Sequence, residues 1–140
     1  MVKDTANVTE ESQLEEKNVV LYDDGQFKVT YLGIIDYKDM YPGEQDIGTG
    51  YIQMLVENNS NQDTTVVLTD LYVNGMSAFP MVGMPMDIAP GKRSKNPFIY
   101  SYNQLDISER SQVESIEFIM HFWDGLHLSE ILGFLSPLII

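Results

Sequence analysis

Gly50 to Gly75 reads GYIQMLVENNSNQDTTVVLTDLYVNG, and its punctuation decides the fold. Tyr51 to Glu57 is a short apolar run, with Ile52, Met54 and Val56 inward on one phase or Tyr51 and Leu55 on the other. Thr64 to Val73 is long and β-branched, as pleated strands favour. Between them lies a polar knot, Glu57-Asn58-Asn59-Ser60-Asn61-Gln62-Asp63, and Asn74-Gly75 closes the second run in the manner of a type I′ hairpin turn. Two strands so bounded predict an antiparallel meander, and hence an all-β sandwich.

Working outward, Val19 to Asp23 predicts a first strand ending in the turn Asp23-Asp24-Gly25. Gln26 to Asp36 alternates, with Phe27, Val29 and Tyr31 on one face and Gly33 marking a bulge. Lys92 to Tyr102 reads as a strand after Pro90-Gly91, and residues 103–111 as a short helical crossover. Val113 to Trp123 splits into two sets, of which Ile116, Phe118, Met120 and Phe122 form the core face. Leu128, Ile131, Leu132 and Leu135 stand at helical spacing, and Pro137 then releases a final short strand, 138–140. The sum is an immunoglobulin-like antiparallel β-sandwich of about seven strands with one short helical crossover. Residues 18–140 form that domain, and residues 1–17, polar and Glu-rich, a flexible acidic leader or tether.

Lys and Arg total 8 against 21 Asp and Glu, a formal charge of −13. A phosphate backbone would be repelled, so no nucleic-acid partner is expected, and an anionic membrane surface is disfavoured likewise. The absence of cysteine removes disulfides and thiolate metal sites. No stretch reaches the roughly 18 apolar residues of a spanning helix. Met1-Val2-Lys3-Asp4 leads into polar residues with no apolar signal core.

Little here carries chemistry. His121 on a strand faces solvent or pairs with Glu117, and Ser115 on the same face lies roughly 20 Å along an extended strand, out of reach as a nucleophile. His121, Asp124 and His127 could gather a metal or hydrolytic site, although the turn-like Asp124-Gly125 leaves their alignment open. The acidic loop 37–49 has oxygen ligands for Ca²⁺ but lacks the EF-hand ladder, so a solvated loop is expected. Met76, Met81, Met84 and Met86 form either an adaptable contact surface or a packed segment; a Cu(I) site is disfavoured without Cys or His. The triplet Asn58-Asn59-Ser60 fits a glycosylation sequon but is better read as turn chemistry. No cofactor and no metal are expected. The candidate contact residues are Tyr37, Tyr41 and Glu44 on the long loop, with Met81, Met84 and Met86.

Tyr22-Asp23-Asp24-Gly25, Val56-Glu57-Asn58-Asn59-Ser60, Val73-Asn74-Gly75, Ala89-Pro90-Gly91-Lys92 and Ile116-Glu117-Phe118 occur in that order. Together they resemble the immunoglobulin-like domains of secreted lipoproteins from Gram-positive bacteria. That family is of unknown function and similar in fold to the mycobacterial immunoprotective extracellular antigen. The resemblance covers roughly residues 18–124 and rests on turns and strands. It implies an extracellular or cell-surface protein, tethered through a lipid anchor upstream of this chain, and it brings no catalytic motif. The expected function is non-enzymatic: binding a protein or cell-envelope ligand, with self-association through the apolar end 138–140 as a further class. The alternative is a small hydrolase or a metal- or ligand-binding lipoprotein using His121 and Asp124.

Overall fold

The computed structural model describes residues 17–45, 47–78 and 85–136. Among them nine strands form two antiparallel sheets. The first sheet has the order β1 (Val19–Asp23), β2 (Phe27–Asp36), β3 (Thr49–Asn58), β7 (Arg93–Ser101). The second runs β5 (Met76–Ser77), β4 (Thr64–Val73), β8 (Ile116–Trp123), β9 (Leu128–Leu135), with β6 (Met86–Ile88) also on β4. The chain crosses between sheets three times: through the 59–63 turn, through residues 89–92 between β6 and β7, and through two 3₁₀ turns, Tyr102–Leu105 and Arg110–Gln112.

Alternation puts the core between the sheets. Val29, Tyr31, Ile52, Met54 and Val56 from one side meet Val66, Leu68, Ile116, Met120 and Phe122 from the other, all nearly or wholly buried. The ring of Phe27 stacks on Phe122 at 4.6 Å between centroids, joining the sheets directly. The expected bulge is present: pairing of β2 with β3 shifts between Tyr31 and Gly33. Asn74 and Gly75 both have positive φ, 53° and 80°, as the type I′ turn requires.

The turns are built from side chains. Asn58, wholly buried, donates through Nδ2 to the carbonyls of Gln62 and Ile88, and its Oδ1 accepts from Ser60 N and Oγ. Its backbone also bonds Gly91 and Lys92, while Asn59 N donates to Gln26 O at 2.6 Å. The motifs around residues 22–25, 56–60 and 89–92 therefore meet at one end of the sandwich. Asn74 does similar work, donating to Gln112 O and accepting from Glu114 N and Ser115 N at the entry to β8.

Three segments take a more definite form than the sequence spacing gives them. The helical face of Leu128, Ile131, Leu132 and Leu135 is instead strand β9: Ile131 and Leu135 point inward while Leu128 and Leu132 point out. Asp124 explains the reversal. Its Oδ1 accepts from Leu126 N and His127 N, so the chain turns back beside β8, and pairing with that strand overrides local helical spacing. The helical crossover consists of the two 3₁₀ turns, and the 37–49 loop opens with a helical turn, α1 (Tyr37–Met40). The leader up to residue 16 and the final segment 137–140 lie outside the described residues.

Candidate functional site

Because the inner halves of β4, β8 and β9 fill the core, their outer halves face solvent in four cross-strand rows. These are Tyr72–Glu117–Phe134, Asp70–Ile119–Leu132, Val67–His121–Glu130 and Thr65–Trp123–Leu128. An outward sheet face is ordinarily polar, yet here Trp123 is 45%, Leu128 61%, Leu132 72% and Phe134 58% exposed. Leu126 at the hairpin tip is 81% exposed. Apolar exposure clustered in this way, Leu132 with Phe134 and Trp123 with Leu128, marks an interaction surface more often than scattered single residues do. Tyr72, Ile119, Leu132 and Phe134 line a hollow of about 310 Å³, with Glu117 at its side. Its floor includes Gly133, whose missing side chain leaves room for the ring of Phe118.

β9 is also an edge. Among the described residues no strand pairs with its outer side, so its outward backbone N–H and C=O groups have no ladder partner there. At the hairpin end a second hollow, about 540 Å³, is lined by Asp63, Asp87, Asp124 and Trp123. Asp87 accepts from Thr65 Oγ1 at 2.7 Å. Hydrogen bonds from His127 N, then Leu126 N, hold the Asp124 carboxyl below the usual carboxylate range.

The two histidines are held in separate pairs. His121 Nε2 lies 2.9 Å from Glu130 across the strands, and His127 Nδ1 lies 3.3 Å from Asp124 within the turn. Sequence reasoning considered Glu117 for His121, but cross-strand register selects Glu130. Among the described residues no group of three His or carboxylate side chains is placed to hold a metal.

The sequence-predicted contact residues are dispersed. Tyr37 and Tyr41 come together, 4.9 Å between ring centroids, and Tyr37 also stacks on Tyr51. Exposed Glu44 follows on the same loop, its N–H donating to Tyr41 O. Met86 is 6% exposed and packs in the core from β6, so its thioether is not offered to a partner. Met81 and Met84 lie outside the described residues. Leu128 and Leu132 escape a sequence reading as surface residues because their spacing suits a helix face, and Phe134 stands outside that face.

Beneath the first sheet's end lies a buried polar group. Tyr102 Oη donates to Asp36 Oδ1, Tyr100 Oη lies 3.5 Å from Tyr102 Oη, and Arg110 Nη1 donates to Ile34 O at 3.0 Å. Burial pushes the Tyr102 and Tyr100 phenols well up, and Tyr31 up to about 12. With Asp36, Tyr31, Tyr100 and Tyr102 all buried, this is a core network.

No protein-family description matches the chain, and no curated protein matches it. Among solved structures it is similar to the GAE domain of GGA2p from Saccharomyces cerevisiae, with 11% identity and a TM-score of 0.50, covering 84% of this chain and 93% of that one. The chain has an immunoglobulin-like β-sandwich fold. The GAE domain of yeast GGA1 matches at 7% identity and a TM-score of 0.48, covering 85% of this chain and 97% of that one. A conserved hypothetical protein from Bacillus anthracis matches at 11% and 0.38, covering 84% and 94%. At such identities the likeness concerns the fold alone.

Proposed function

We propose that the chain is a non-enzymatic immunoglobulin-like module that binds a polypeptide ligand outside the cell, on a lipid-anchored protein of a Gram-positive bacterium. The observation that carries the binding reading is the outer edge of β9, unpaired among the described residues, with its outward Leu128, Leu132 and Phe134. An open strand edge is completed best by another backbone, whose N–H and C=O groups match it, and the neighbouring apolar side chains then find pockets. Covering Leu132 and Phe134 would each stabilise a complex by roughly 1.5–3 kcal/mol. The location rests on the resemblance to secreted lipoproteins, with which the acidic composition agrees. Binding is favoured over bond-breaking because each histidine is matched to a carboxylate, with no nucleophile hydrogen-bonded to either among the described residues. Tyr41, exposed beside Tyr37, offers a second contact region.

Panning random displayed peptides on the protein tests the binding reading. Selected peptides should lose about tenfold or more in affinity against Leu132→Asp or Phe134→Asp. Equal affinity for wild type and both variants would remove the face from consideration. Protease accessibility on intact cells tests the location, and a chain protected until lysis would contradict it.

A further inference from the structure

We infer that the segment docking along β9 is basic: an extended stretch of another protein in which Lys or Arg alternates with apolar residues. The inference rests on the docking reading above and adds the partner's chemistry. It begins from how charge is divided between the sheets. No Lys or Arg stands in β4, β5, β6, β8 or β9, whereas Lys28, Arg93 and Lys95 stand in the first sheet. The outward rows of the second sheet instead carry Asp70, Glu117 and Glu130, with Asp87 beside Thr65 in the row of Trp123. Apolar surface is thus interleaved with carboxylates that no Lys or Arg of this sheet offsets, Glu130 meeting only His121, and charge complementarity across an interface selects a cationic partner.

Strand geometry says how both demands are met at once. In a strand added to β9, alternate side chains point to opposite faces. One set covers the sandwich edge beside Ile131 and Leu135. The other lies on the outer face, where lysine or arginine stems run along Leu132 and Phe134 and their charged heads reach Glu117 and Glu130. At the hairpin end, Trp123 beside the hollow of Asp63, Asp87 and Asp124 receives a further cation.

Other occupants fit poorly. A second copy would bring the same acidic face, on a chain of formal charge −13, against itself. The chain's own residues 2–16 carry Asp4, Glu10, Glu11, Glu15 and Glu16 against Lys3, the wrong sign for this face.

The test uses the whole chain and synthetic peptides of strictly alternating valine–lysine, valine–serine and valine–glutamate, plus the valine–lysine peptide with its backbone N-methylated. Trp123, the chain's single tryptophan, reports binding by fluorescence, and amide hydrogen exchange reports where it occurs. The valine–lysine peptide should bind about tenfold or more tighter than valine–serine, weaken with added salt and slow exchange along β9. Glu117→Gln with Glu130→Gln should erase the preference, and N-methylation should abolish binding. Equal binding of the lysine and serine peptides at β9 would overturn the basic partner and leave the docking reading standing. Slowed exchange along β9 with none of the peptides would overturn both. A sizing measurement showing a dimer that protects β9 would make the occupant a second copy and overturn the inference as well.

Discussion

The ring of Phe118 on β8 fills the space where a side chain at Gly133 on β9 would stand: a Cβ there would overlap the ring's Cε1 and Cζ atoms. Phe118 is 2% exposed, so its ring has nowhere to swing. Gly133→Ala should therefore destabilise the fold by about 1–3 kcal/mol, the usual cost of overpacking a filled core. Leu132, one residue away but outward, is the contrast. Leu132→Ser should leave stability within about 0.5 kcal/mol of wild type. Thermal unfolding of the two variants checks both, and equal melting temperatures would contradict the assigned phase of β9.

Asn58 and Asn59 are neighbours with opposite expectations. The side chain of Asn58 makes four hydrogen bonds within the turn and to Ile88 O. Asn59 is exposed and joins Gln26 through its backbone. Asn58→Ala should cost roughly 2–3 kcal/mol, because buried polar groups lose their partners, and Asn59→Ala close to nothing. Denaturant midpoints measured under one set of conditions decide it; a stable Asn58→Ala would show that the turn holds without its side chain.

The Asn58 turn and strand β9 show why the fold could be read from the chain and the docking face could not. Turn chemistry is local: Asn58 and Asp24 bond backbone groups within a few residues, and Asn74-Gly75 supplies the positive φ of its own turn, so their identity announces the reversal. The alternation of Ile116, Phe118, Met120 and Phe122 likewise marks the core face without knowledge of any other strand. Strand β9 has no such signal. Leu128, Ile131, Leu132 and Leu135 suit a helix locally, and what makes them a strand is pairing with β8 and the fit of Gly133 to Phe118, both set by the assembled sheet. Edge position is likewise a property of neighbours, as is the choice of Glu130 over Glu117 for His121.

Tyr102 and Asp36 bind each other inside the sandwich end, 66 residues apart in sequence. Tyr102→Phe keeps the ring and removes the donor, leaving a carboxyl that is only 5% exposed without that partner. The expected loss is about 1.5–3 kcal/mol, as for hydrogen bonds to charged groups. An unchanged unfolding free energy for Tyr102→Phe would show that Asp36 is satisfied by other donors.

Alkaline pH should unfold the protein through its buried phenols. Tyr31, Tyr100 and Tyr102 all have raised values, chiefly because burial disfavours the phenolate, and Tyr31 is pushed from 10.0 up to about 12. A group whose folded value is raised binds its proton more tightly in the native state. Its stabilisation is therefore complete below pH 10 and is lost as pH rises from there through 12. Phenolate absorbance and circular dichroism followed together should show these tyrosines ionising only as the strands are lost. Ionisation of all eight tyrosines near pH 10 with the dichroism intact would contradict the burial.

Tyr31 offers the one substitution expected to improve the fold. Its side chain is fully buried on β2, and its hydroxyl has no hydrogen-bond partner among the described residues. A buried hydroxyl forfeits its bonds to water on folding, and without replacement that costs about 1–3 kcal/mol. Tyr31→Phe removes the hydroxyl, keeps the ring against the core and leaves no acceptor or donor orphaned elsewhere. Stability should rise by about 1 kcal/mol, allowing for the small void left behind. Tyr102→Phe, the same chemical change at a hydroxyl that has a partner in Asp36, should fall instead. Measuring the pair side by side isolates the partner from the hydroxyl itself: a loss at both positions would show that Tyr31 also hands its proton to an acceptor.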